Sequence, residues 1–370
     1  MAITITRTVA LAALAVGASS SGVLAGDLNP PTGPIEPTMK TLEEVEPRTA
    51  INLENTPGDA EAIFVIDTPG SYYLTGNLKG VSGKHGIKVT ASHVTVDLMG
   101  FRLSGVSGSL DGLNVPDNAA DNIEVRNGTS EGWGNDGIDL RFSTDQGVVR
   151  DVRVIDCLGT GIRVGADGLV KNCVVRGSPF GIQTSLSCRV IECDVSLCSL
   201  GINANAYSIV ENCVAHDNTS LGINMSGSGR VHGCSVMRND SHGIQSYSYA
   251  IITDNTISEN GGDGINVNNG CLIKGNMIQG NAAGVHVASG RCRVESNHCA
   301  SNDIGIRIIG TQNTIIGNTC TNSTTNNFQI AANNRFGRIV NLTTGSTSAV
   351  TGNSAASSIG TEDPWANFAQ

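Results

Sequence analysis

Residues 264–280 read Gly-Ile-Asn-Val-Asn-Asn-Gly-Cys-Leu-Ile-Lys-Gly-Asn-Met-Ile-Gln-Gly. Three short runs alternate apolar and polar residues, with Gly and Asn turns between them and no stretch long enough for a helical turn. The unit is all strand. Its opening pair, Gly followed by an aliphatic residue, recurs from Gly161-Ile162 through Gly181-Ile182, Gly201-Ile202, Gly222-Ile223 and Gly243-Ile244 to Gly305-Ile306, at intervals of 20 or 21 residues. A period of that size held over many copies marks a solenoid, in which each repeat buries its apolar side only by stacking on its neighbours. Three strands per repeat, all in register, describe an all-β chain: a right-handed parallel β-helix of about eleven coils. The Leu-x-x-Leu-x-Leu pattern of leucine-rich repeats is absent. Only Pro116, Pro179 and Pro364 lie beyond Gly100, as expected where most backbone N–H groups donate to a neighbouring coil.

Columns follow from the period. Asn255, Asn276, Asn297 and Asn318 are spaced by 21, as are Asn218, Asn239, Asn260, Asn281 and Asn302. Identical amides therefore stack about 4.8 Å apart at two corners. Val236, Ile257, Ile278, Cys299 and Cys320 form an apolar column inside. Earlier marker pairs, Gly86-Ile87, Gly112-Leu113 and Gly137-Ile138, stand at intervals of 26, 25 and 24, so these coils carry extra residues that leave as loops. Loops on one side of such a solenoid are where a site can be built.

The flanks differ from the repeats. Residues 1–25 combine Arg7, an apolar run Val9–Val16 and Val23-Leu24-Ala25, the pattern of a secretory leader cut after Ala25. Residues 26–60 are a Pro-rich linker and N-terminal cap, with a short amphipathic helix expected over Thr38–Glu46, where Thr41 and Glu44 have capping-box spacing. The β-helix is expected over 61–342, followed by a Ser/Thr/Gly-rich tail, 343–370, whose Trp365 and Phe368 are expected to dock on the solenoid. A net charge of −10 disfavours nucleic acid and anionic membranes as partners. No segment after the leader has the roughly 18 apolar residues of a membrane span. The expectation is a secreted or periplasmic monomer.

The runs Pro-Gly-Ser-Tyr-Tyr-Leu-Thr-Gly-Asn-Leu at 69–78 and Val-Thr-Val-Asp-Leu-Met-Gly-Phe at 94–101, with the Asn-ending repeats, resemble secreted bacterial right-handed β-helix proteins of the pectin-lyase-like superfamily over about residues 60–340. The resemblance implies the fold. That superfamily includes lyases, hydrolases, epimerases and adhesins, so it leaves activity open.

Asn135-Asp136-Gly137-Ile138-Asp139 resembles the Asn-Thr-Asp-Gly-Ile-Asp motif of polygalacturonase-type hydrolases. On the next coil, however, Ile155-Asp156-Cys157 lacks the paired carboxylates such a motif needs. Ser241-His242-Gly243-Ile244 resembles the family's Gly-His-Gly motif but falls four to five coils away, roughly 20 Å along the axis. Asp136 is equally read as a turn residue before its marker Gly, as are Asp111 and Asp263. A lyase or epimerase would draw on Asp136, Asp139, Arg141, Arg163 and Asp167, with Ca²⁺ as the one cofactor such acids would invite.

A polar column two residues after each marker Gly runs Asn114, Asp139, Arg163, Gln183, Asn203, Asn224, Gln245, Asn266, His286, Arg307. Amide and charged groups at strand spacing match the hydroxyls of an extended sugar chain, with Trp133, Tyr247 and Tyr249 as candidate stacking faces. A solvated sheet face must be polar in any case. The leading expectation is non-catalytic binding of a carbohydrate or surface polymer, with Trp133, Asp139, Arg163, Gln183 and Asn203 as contacts. Catalysis by Asp136, Asp139 and Arg163 is the alternative, and a structural spacer the third reading. The eleven Cys show no zinc spacing; most are expected as buried thiols, with room for one or two bridges.

Overall fold

The computed structural model describes residues 46–116, 120–142, 146–341 and 363–370. The leader expected at 1–25, nearly all of the helix expected over Thr38–Glu46 and the Ser/Thr/Gly-rich stretch 343–360 lie outside the described residues. The chain divides into Met1–Pro47 and Arg48–Gln370. The second unit is a right-handed parallel β-helix, without a helix among the described residues.

Each coil gives one strand to a thirteen-stranded sheet, while a further 26 strands form the other two faces. Those faces are joined where Ile123–Glu131 and Val148–Ile155 run through a corner unbroken. Thirteen rungs replace the expected eleven because the terminal strands, Ala62–Ile66 and Asn326–Ile330, carry Ile63 and Asn327 where the marker Gly would stand. Within the stack the glycine is a steric requirement. A Cβ on Gly264 would lie 2.5 Å from Ile278 Cγ2 and 2.8 Å from Gly284 O. The isoleucines that follow the marker stack in the interior with no exposed surface, and their burial is the main driving term for closing each coil.

Strand pairing extends past both expected limits. Thr49–Ile51 pairs with Gly70–Leu74, inside the segment read as linker and cap. At the other end Asn367–Ala369 inserts beside both Thr319–Thr321 and Ile339–Asn341. The aromatic end therefore docks as a strand. Asn367 is buried and Phe368 half-buried, whereas the Trp365 ring is exposed.

Corners explain the composition. Asp254, Gly275, Ser296 and Gly317 adopt φ of 58°, 69°, 56° and 63°, the left-handed region that Gly, Asn and Asp tolerate best. Each is followed by an inward Asn. Asn276 donates from Nδ2 to Asn297 Oδ1 at 2.9 Å and to Ile252 O at 3.0 Å, and its Oδ1 accepts from Asn255 N at 3.0 Å. Asn367 continues this ladder, accepting from Asn318 N at 3.0 Å across 49 residues of sequence. A second ladder runs Asn218 to Asn302, and Asn313–Asn334 forms a third that the sequence reading did not separate.

All eleven cysteines are buried free thiols, so none of the bridges left open by the sequence forms. Several sit on ladder positions and copy the amide's donor role. Cys193 Sγ donates to Val170 O at 3.7 Å and Ile191 O at 3.2 Å, the carbonyls of the preceding coil and of the residue two back. Asn276 bonds to its own equivalents of both, Ile252 O and Lys274 O. The column passes from sulfur to amide where Cys234 N donates to Asn255 Oδ1 at 2.9 Å.

Asn276→Ala would strand the buried Asn255 N–H and remove the side-chain bonds to Asn255 Nδ2, Ile252 O and Asn297 Oδ1, the last of which keeps its bond from the backbone N–H of residue 276. The expected loss in urea unfolding is about 3–5 kcal/mol, with Asn276→Cys costing less than Asn276→Ala. Ellman's reagent is expected to reach none of the eleven thiols in the native protein and all of them after unfolding.

Candidate functional site

The marker register places the residue before each Gly in one column along the border of the thirteen-stranded sheet. In the early coils this column reads His85, Asp111, Asp136, Thr160. Asp111 is enclosed by donors. Its Oδ1 accepts from Asn135 Nδ2 at 2.6 Å and from Asp136 N at 2.9 Å, and its Oδ2 accepts from Asn114 Nδ2 at 3.1 Å. His85 Nδ1 accepts from Asp111 N at 3.2 Å. One coil on, Asp136 Oδ1 accepts from Thr160 N at 2.6 Å while Oδ2 faces Arg163 Nη1 at 3.3 Å. Arg163 also donates from Nη2 to Thr160 Oγ1 at 2.6 Å.

Asp139, on strand Ile138–Leu140, pairs with Asn114 on one side and Arg163 on the other. It accepts from Arg141 N at 3.0 Å and faces Arg141 Nη2 at 2.7 Å. The structure thus unites Asp136, Asp139, Arg141 and Arg163, and adds Asp111, Asn114 and His85. Asp167 stands apart at a left-handed corner, φ 53°.

Burial dominates the electrostatics. It pushes the Asp139 carboxyl up to about 6, against the Arg141 N–H and guanidinium and with the nearby charges of Asp136 and Asp111. It also raises Asp136, against the Thr160 N–H and Arg163. Asp111 and Asp136 each cap a backbone N–H of the next coil, whereas Asp139 caps Arg141 N of its own coil, and Asp139 and Asp136 have almost no exposed surface to offer a substrate.

Two expected contacts are corrected. The Trp133 ring is fully buried in the core, with Nε1 donating to Leu103 O at 3.2 Å, so it presents no stacking face; a large apolar ring gains more by filling the widened early coils. Asp139 points outward from its strand but is covered completely, so it lies beneath the surface on which it was expected. Arg163 and, beyond it, Gln183, Asn203, Asn224, Gln245, Asn266, His286 and Arg307 are the half-exposed members of the column, in unbroken strand register. Asn224 Nδ2 donates to Asn203 Oδ1 at 2.9 Å along it. Tyr247 shares the outward face of strand Ile244–Ser248 with Gln245, and Tyr247 and Tyr249 are both exposed. His242 lies five strands from Asp136, which separates the two motif-like segments, as expected.

The sequence reading did not single out His85 or the bond network of Asp111. Both were visible as the residues before successive marker glycines, but a column becomes a contact only when coil spacing brings its members together.

Asp139→Asn tests this picture. A carboxyl raised in the folded state stabilises fully below its unfolded value, near 4, and loses that contribution as pH rises through about 6. The amide is therefore expected to stabilise the protein at pH 8, by up to about 3 kcal/mol, and to leave it nearly unchanged at pH 4, as read by thermal melts.

The sequence matches the family pattern of the right-handed beta helix region over residues 165–299. No curated protein matches it. Among solved structures, the A-module of mannuronan C-5 epimerase AlgE6 from Azotobacter vinelandii is similar at 13% identity and TM-score 0.53, covering 73% of this chain and 84% of that one. The periplasmic alginate epimerase AlgG is similar at 12% identity and TM-score 0.43, covering 77% and 80%. PfbA, a surface adhesin of Streptococcus pneumoniae, is similar at 11% identity and TM-score 0.33, covering 74% and 84%. At these identities the likeness is one of fold alone: this chain is a right-handed parallel β-helix.

Proposed function

We propose that this is an exported protein, secreted or periplasmic, that binds an extended carbohydrate or surface polymer along its thirteen-stranded sheet without turning it over. The observation that carries this reading is the column from Gln183 to Arg307: seven half-exposed polar side chains in register. Their spacing of about 4.8 Å per rung is close to the length of a sugar residue, and a strand-mounted amide is held without the entropy cost of ordering a loop. Exposed Tyr247 and Tyr249 supply ring faces beside it. A carbohydrate ligand agrees with the mannuronan C-5 epimerase among the proteins of like fold. Asp139 and Trp133, both buried, are set aside as contacts, and Arg163 is partly committed to Asp136 and Thr160.

A second reading, proton transfer by a lyase or epimerase at the early coils, is favoured by one observation. Asp139 is held near 6, beside Arg141 and close to Asp136 and Arg163. It requires the cover over Asp139 to open.

Residues 26–370 should be screened against neutral and acidic polysaccharides, with and without Ca²⁺, for binding, unsaturated-product absorbance and reducing ends. Binding without product is expected, weakened about tenfold or more by the double variant Gln183→Ala/Asn203→Ala. Product formation that Asp139→Asn abolishes would replace this reading with the catalytic one.

A further inference from the structure

The early-coil network has a second copy seven strands along the sheet, about 34 Å away by strand spacing. His85, Asp111, Asn114 and Arg163 correspond to His242, Asp263, Asn266 and Arg307 in the same two columns of four successive coils. The bonds repeat too. Asp263 N donates to His242 Nδ1 at 2.9 Å, Asn266 Nδ2 donates to Asp263 Oδ2 at 2.7 Å, and Asp263 Oδ1 accepts from the next coil, at Ala283 N, at 3.1 Å.

The copies differ where it matters for a ligand. In the early copy Asp136 lays its carboxylate on the Arg163 guanidinium. In the late copy Ala283 holds that position, and Arg307 has no carboxylate partner among the described residues. Early Asp139 is replaced by His286, whose Nδ1 lies 2.8 Å from Asp263 Oδ2. Burial raises Asp263, yet hydrogen bonds from His286 and Asn266 outweigh it and hold the carboxyl below its usual range. An ionised Asp263 only accepts, so its contact with His286 places a proton on Nδ1, which Asn266 Nδ2 also approaches at 3.1 Å; in the neutral ring of that tautomer Nε2 presents a lone pair. His286 Nε2 and Arg307 Nε are both buried without a hydrogen-bond partner among the described residues, on paired strands; Arg163 Nε of the early copy is likewise unpartnered, so what sets the late copy apart is His286 Nε2 and an Arg307 guanidinium with no carboxylate laid on it. Buried polar atoms of this kind call for a partner.

We propose that this late locus is a subsite for a neutral sugar, in which one hydroxyl donates to His286 Nε2 and accepts from Arg307 Nε–H. A hydroxyl meets both demands at once, whereas a carboxylate would set its lone pairs against that of Nε2. The early copy is the same site closed by its own Asp136. The inference rests on the carbohydrate reading of this sheet face and deepens it by giving the ligand's chemistry at one end.

The test has two arms. In protein labelled with ¹⁵N-histidine, with His286 assigned through His286→Gln, titration with methyl β-glucoside and methyl β-galactoside is expected to shift His286 Nε2. In the second arm, affinities for a neutral β-glucan, a mannan and polygalacturonate are compared. Neutral polymer is expected to bind, about tenfold or more weakly in Arg307→Gln and in Ala283→Asp, which rebuilds the early copy's internal ion pair. Arg307→Gln, at a half-exposed position, serves if Ala283→Asp does not fold. Polymer binding that depends on Gln183 and Asn203 but leaves Nε2 unshifted, or Arg307-dependent binding of polygalacturonate alone, overturns the subsite and leaves the track. A shift of Nε2 without polymer binding upholds the subsite and overturns the track. Neither signal overturns both.

Discussion

Every coil of this protein must turn three corners around an interior only a few side chains wide, and each corner brings backbone N–H groups into that interior with no strand to receive them. The inward ladder satisfies them. A side chain that both accepts from the coil behind and donates to the coil ahead, such as Asn276 between Asn255 and Asn297, makes each coil's polar satisfaction conditional on its neighbour. The left-handed residue before each ladder position aims the amide inward. With the isoleucine stack, this makes the solenoid rigid and keeps its outer columns straight.

The thiols show what the ladder requires. Cys193 and Cys213 reach the carbonyls that an amide would reach, at longer distances suited to sulfur. They supply weaker donors and acceptors in a drier setting. The ladder tolerates the exchange because the donor and acceptor directions are kept even as strength is lost. Re-entry of Asn367 obeys the same rule: the coil ending at Asn318 needs a next rung, and a strand 49 residues later provides it.

Rigidity also explains how one sheet holds both a closed and an open version of the same network. Asp136 fills the space over Arg163, and burial of Asp136 and Asp139 opposes their charge, so that locus costs stability above neutral pH. At the late locus, where Ala283 stands in place of Asp136, Arg307 has no carboxylate partner and His286 Nε2 is buried without a hydrogen-bond partner among the described residues. Between them the half-exposed amides continue without a break, and the scaffold holds all of these groups at fixed spacing before any ligand arrives.

The fold, the ladders, the polar column and the near-repeat of Asp before a marker Gly were all legible in the sequence, because a solenoid converts sequence period directly into spatial neighbours. Two more rungs, the third ladder and the re-entrant strand were not, since terminal coils break the period and a strand distant in sequence leaves no periodic trace. Side-chain depth was the other limit. Period two assigns Asp139 to the outer face, and Trp133 is expected as a stacking face, yet Asp139 is covered and Trp133 is core. The order of residues determined which side chains share a column; only the tertiary structure decided which are buried, because cover comes from neighbouring coils, as where the glycines at 80, 86 and 112 make room for the Trp133 ring, and no pattern local to one coil shows it.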